Sequence, residues 1–112
     1  MPRRDDTISI RQMLDHSREA VEMASGKAPD DIEHERMLEL ALVRLVEIIG
    51  EAASRVTQAS QEKYPEIPWR EVTGMRNRLA HGYDSIDLRV LWDTIEIDLP
   101  PLILQLEKIL SK

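Results

Sequence analysis

Apolar residues recur three, four or seven apart along most of the chain, and the stretches where that period holds predict its helices. Ile10, Met13, Leu14, Val21 and Ala24 define a first amphipathic helix from about Asp6 to Ser25. Asp6 or Ser9 is the expected cap, Ser9 with Gln12 as a capping box, and Gly26 suits the residue that ends the helix. Arg11, Asp15, Arg18, Glu19 and Glu22 occupy the other face. A second and longer run joins Leu38, Ala41, Leu42, Leu45, Ile48, Ile49, Ala52, Ala53, Val56 and Ala59. It predicts one helix from roughly Asp31 to Gln61, closed off before Tyr64-Pro65, because proline disfavours helix in the residue before it. Its middle is apolar on more than one side, so it should lie at the centre of the fold. Glu39, Arg44, Glu47, Glu51 and Arg55 are the polar positions spared there. They read as salt bridges on a solvated face or as parts of a site.

A short loop from Glu62 to Pro68 leads to a third helix, running from Pro68 to about His81 or Gly82, with proline in its first turn. Leu88, Leu91, Trp92, Ile95 and Leu99 predict a further helix begun by Ser85 or Asp87. Pro100-Pro101 should interrupt or kink it, since an interior proline removes a donor and clashes with the turn before it. Leu102, Ile103, Leu106, Ile109 and Leu110 then resume the period. No alternation is long enough for a strand. The expected architecture is all-α, a single domain over residues 1–112: a four- to five-helix bundle with its last helix kinked at Pro100-Pro101. The 112 residues include two Trp, two Tyr and no Phe. Such a core must be aliphatic, which suits helices better than sheets.

Charge narrows the function. The net charge is −6 and the isoelectric point about 5.0, which excludes a generally basic nucleic-acid binder, so any grip on phosphate must be local. The chain has no cysteine, removing disulfides, thiolate metal sites and cysteine nucleophiles together. No apolar run approaches the ~18 residues of a membrane span, and Met1-Pro-Arg-Arg-Asp-Asp leads into no signal-peptide core. A soluble cytoplasmic protein, without membrane contact, is the expectation. Glu33-His34-Glu35 lacks the histidine pair of a helical zinc site, and His16 stands apart from it, so neither a metal nor another cofactor is expected.

The candidate chemistry lies in Pro68 to Tyr83, where three arginines stand against one glutamate. At ~100° per residue Trp69, Val72, Arg76, Leu79, Ala80 and Tyr83 share one arc. Arg76 is thereby expected amid an apolar face, where a permanently charged guanidinium needs a carboxylate, a phosphate or water. Glu47 and Glu51 are its candidate partners. Asn77 and His81 lie four apart on a neighbouring stripe, so Asn77 is placed to orient the imidazole. His81 falls about 140° from Arg76, so one straight helix does not aim both at one atom. Either the helix unwinds at Gly82, or two copies face each other across a cleft. Metal-independent RNA cleavage favours the second arrangement: it needs a base for the 2′-hydroxyl, an acid for the leaving 5′-oxygen and a cation for the phosphorane. A symmetric pair supplies two histidines and two arginines. Taken by spacing alone, the same residues also read as a buried ion-pair arginine, a structural histidine and a packed tyrosine.

Met75-Arg-Asn-Arg-Leu-Ala-His-Gly-Tyr83 resembles the Arg-x4-His-x-Tyr motif of the HEPN superfamily, specifically the HepT-like toxins paired with MNT-type nucleotidyltransferase antitoxins. Arg44 to Ala53, Ile67 to Arg70, and Val90 through Leu102 resemble that family in the same order. The resemblance implies a helical homodimer acting on RNA as a metal-independent endoribonuclease toxin of a type VII module. Arg76 and His81 would be its catalytic pair, with Asn77 in support. Tyr83 would receive AMP from the cognate nucleotidyltransferase, which adds a bulky anionic phosphodiester beside a phosphate site. Glu47, Glu51 and Arg78 are expected as supporting residues. The alternative, favoured by the acidic net charge, is a non-catalytic subunit that presents nucleotide or substrate to a nucleotidyltransferase.

Overall fold

The computed structural model describes residues 4–79 and 86–111, and all its elements are helical, with no strand among the described residues. α1 (Arg4–Ala24) packs along α3 (Arg36–Arg55) and α8 (Leu99–Leu110), and α3 also meets α2 (Pro29–His34), α5 (Trp69–Thr73) and α6 (Met75–Leu79). The long helix is therefore central, as its two-sided apolar pattern requires. Ile10, Met13, Leu14, Leu42, Ile49, Leu91, Ile95, Leu99 and Leu106 form an aliphatic centre sealed from solvent. No helix among the described residues is long and apolar enough to cross a membrane.

The helix expected from Asp31 to Gln61 is instead three, because local capping overrides a continuous period. Pro29 opens α2, and Asp31 accepts a 2.7 Å hydrogen bond from the Ala28 amide. Glu35 leaves helical geometry at φ −115°, ψ 89° before α3 begins. Val56 is extended at φ −70°, ψ 130°, and Thr57 then caps α4 (Gln58–Lys63), its side chain accepting from the Ser60 amide. The expected caps of α1 also differ. Ser9 is buried inside the helix, and Asp6, in its first turn and fully buried, reaches across the fold to the start of α4. Its carboxylate accepts from the Thr57 amide at 3.0 Å, the Thr57 hydroxyl at 2.6 Å and the Ser60 hydroxyl at 2.6 Å. A buried carboxylate is tolerated only when hydrogen-bonded in this way. Gly26 has the expected role, taking φ +78° after α1 ends.

The third predicted helix is likewise broken, at Gly74, into α5 and α6. Pro68 precedes α5 as its cap, and buried Trp69 donates its indole N–H to the Tyr64 carbonyl at 3.0 Å. After Asp87, whose carboxylate accepts from the Arg89 and Val90 amides, α7 (Leu88–Asp93) runs into a π-helical turn, Thr94–Asp98. The Leu99 amide donates to the carbonyl of Thr94, five residues back. This departure from α-helical geometry precedes Pro100-Pro101, and α8 runs through both prolines. The wide turn stands directly before both prolines, which lie in the first turn of α8.

Replacing Asp6 by Ala strands the two hydroxyls and the Thr57 amide. The expected cost is about 3 kcal/mol in denaturant unfolding, with Asp6→Asn recovering part of it.

Candidate functional site

α3 lays Glu47, Gly50, Glu51 and Ser54 along one stripe at helical spacing, and α5 and α6 bring Thr73, Arg76 and Asn77 against it. Together these residues line a groove of about 180 Å3. Gly50 makes the approach possible. A Cβ there would stand 3.3 Å from the Val72 carbonyl oxygen and 3.5 Å from that of Thr73, so a larger residue would push against backbone. The end of α5 is thus seated directly on α3, and Arg76 leaves α6 beside Glu47.

Arg76 is not on the apolar face that a straight projection gives it. Its side chain is 70% exposed, and the buried positions are Trp69, Val72, Met75 and Leu79. The break at Gly74 ends the uniform angular advance on which that projection depends, and Met75 takes the inward place. The Arg76 Nε donates to Glu47 Oε2 at 3.2 Å. Among the described residues no carboxylate faces its two terminal nitrogens, which leaves the fork that recognises phosphate open. Glu47 Oε1 is meanwhile 3.4 Å from Arg44 Nη1, which also meets Glu51 Oε1 at 3.4 Å. Glu47 is therefore the carboxylate shared by two guanidiniums, while Glu51 pairs with Arg44. Ion pairs this exposed contribute at most about 1 kcal/mol each, so they orient Arg76 more than they stabilise the fold.

The other expected residues are divided. Asn77 lines the groove beside Arg76. Arg78 turns to the opposite side of α6, where its Nη2 lies 3.9 Å from Asp98 Oδ2. His81 and Tyr83 lie in residues 80–85, outside the described residues. Leu79, the last described residue of α6, accepts a 2.8 Å hydrogen bond at its carbonyl from the Asp87 amide. His16 and His34 stand on α1 and α2, each with Nδ1 against the backbone carbonyl four residues earlier. The Asp30 carbonyl, helped by the charge of Glu33, raises the pKa of exposed His34 above the ordinary histidine value. No cluster of three or more metal-ligating side chains occurs among the described residues. Gly50, Ser54 and Thr73 were not singled out by sequence reasoning. The available signal was the helical stripe through Glu47, Gly50, Glu51 and Ser54.

Across residues 13–109 the chain matches the family model described as "Ribonuclease HepT-like". The chain belongs to the HepT-like ribonuclease family. "Probable ribonuclease HepT" of Thermococcus cleftensis is 40% identical over 71% of this chain and 73% of its own length. "Putative RNase TTE0752" of Caldanaerobacter subterraneus is 34% identical over 92% of both chains. "Putative RNase MJ1216" of Methanocaldococcus jannaschii is 30% identical over 99% of this chain and 92% of its own. No solved structure matches. The groove of this HepT-like chain lies wholly within the matched segment.

In a double-mutant cycle, Glu47→Gln and Arg76→Lys should couple by less than about 1 kcal/mol in unfolding free energy. The Arg76 Nε–H resonance should nevertheless move markedly in Glu47→Gln.

Proposed function

We propose that this HepT-like chain is a metal-independent endoribonuclease, the toxin of a type VII HEPN/MNT module, working as a homodimer. The observation that carries the reading is Arg76: held through Nε by Glu47, flanked by Asn77, and with no carboxylate hydrogen-bonded to its terminal nitrogens among the described residues of a HepT-like chain. In the proposed reaction His81 takes the proton of the RNA 2′-hydroxyl, and the 2′-oxygen attacks phosphorus. The phosphorus–5′-oxygen bond breaks, and His81 of the partner subunit protonates the departing oxygen. The products are a 2′,3′-cyclic phosphate and a 5′-hydroxyl. Arg76 neutralises charge on the phosphorane, which is worth most when the donor is already oriented. Acid, base and cation all come from side chains, so the step calls for no metal.

Two subunits are invoked because each motif carries a single imidazole. Support for the pairing comes from α3, where Met37 is 85% exposed and Leu40 50% exposed. These two residues continue at helical spacing through Arg44 to Glu47, so an unpartnered apolar patch leads along one face to the groove. In this reading an MNT nucleotidyltransferase silences the toxin by transferring AMP to the Tyr83 hydroxyl. The added phosphodiester would compete with RNA for Arg76. A second reading, a nucleotide-binding subunit without nuclease activity, is favoured by the net charge of −6, which repels RNA at long range.

The purified protein should cleave RNA in EDTA and leave cyclic or 3′-phosphate ends. Arg76→Ala and His81→Ala should each lower the rate by about a hundredfold or more, and cleavage surviving both would overturn the assignment. Nucleotide binding by a verified dimer that leaves RNA intact would select the second reading. In sedimentation, Met37→Glu with Leu40→Glu should dissociate the dimer and abolish cleavage together. Tyr83→Phe should stay nucleolytic and accept no AMP from the partner enzyme, detected as an absent mass increment.

A further inference from the structure

The larger of the two clefts described lies on the far side of α6 from the groove. It encloses about 500 Å3 between α5–α6 and the π turn with α8. Its floor is apolar, including Val72, Met75, Ile97 and Leu102, and its rim carries the carboxylates of Glu66, Glu71 and Asp98 against the single guanidinium of Arg78. Arg78 is already engaged by Asp98, whereas Glu66 and Glu71 have no ion-pair partner among the described residues. Ile97 is 62% exposed, and Leu104, seven residues on, is 60% exposed. With Pro101 between them, they extend the apolar floor as a stripe at helical spacing.

We propose that this cleft is the docking site for an amphipathic helix of another protein, one that carries an apolar stripe flanked by lysines or arginines. The size fits a few side chains, and an apolar groove with a helical stripe beside it is the complement of a helix presenting anchors three, four and seven apart. The charge selects the occupant. The excess of carboxylates on the rim repels RNA phosphate and disfavours a second copy of a chain with net charge −6, whereas a basic flank meets them favourably. A helix seated there touches Met75 and Arg78, the back of the same helix that bears Arg76 and Asn77. The proposal holds whether or not the groove cleaves RNA.

The test is a titration of the 15N-labelled full chain with two synthetic amphipathic helical peptides sharing one leucine stripe, with lysine flanks in one and glutamate flanks in the other. The lysine peptide should bind about tenfold more tightly, as expected of a few exposed charge pairs, and shift the amides of Val72, Met75, Ile97 and Leu102. Glu71→Lys combined with Asp98→Lys should reverse the preference. Ile97→Glu, at an exposed position that leaves the fold intact by circular dichroism, should remove binding. Equal affinities, shifts confined to another face, or no binding by the lysine peptide would overturn the proposal. So would sedimentation showing that Ile97→Glu splits a homodimer, which would assign the cleft to a second copy.

Discussion

The contact between α3 and the end of α5 governs the rest of the molecule. Gly50 offers no side chain, so the Val72 and Thr73 carbonyls sit where a Cβ would crowd them. That seating brings α6 to the flank of α3 with Arg76 beside Glu47. The ion pair between them is too exposed to hold two helices together, so the order of cause runs from packing to electrostatics. Burial of Val72, Met75 and Leu79 against the core places the guanidinium, and Glu47 then sets its orientation.

A second constraint acts just past the C-terminal end of α3. Asp6 accepts hydrogen bonds from Thr57 and Ser60 in a fully buried position, tying the first turn of α1 to the start of α4 over a separation of more than fifty residues. Desolvation of a carboxylate is costly, and the hydroxyl and amide donors offset it only in this one arrangement. Thr57 both caps α4 and donates to Asp6, so the chain turns immediately after Val56 and α3 ends at Arg55.

Over its described residues α6 divides two chemically different surfaces. Arg76 and Asn77 face a narrow polar groove shared with α3, while Met75 and Arg78 belong to a wider apolar cleft against the π turn and α8. Residues two apart on a helix diverge by about 200°, so Arg76 and Arg78 do not face one groove from one subunit. A basic run in the sequence becomes, in three dimensions, one arginine presented by a glutamate and another held by an aspartate.

The helical class and the central place of α3 were legible in the sequence, as were Asp87 as one of two offered caps and Glu47 as one of two offered partners for Arg76. Each follows from short-range periodicity, a capping side chain or the chemical need of a charged group. Membership of the HepT-like family was legible too, in Met75 to Tyr83 and three further blocks. The course of the segment from Asp31 to Gln61 and the outward turn of Arg76 were not. They depend on Asp6 reaching Thr57 and on α5 resting against Gly50, contacts between residues far apart in the chain. Periodicity reports which residues are buried only while a helix stays straight. Where tertiary contacts end one helix and start another, at Val56 and Gly74, the face each later residue presents is set by the packing of the whole chain.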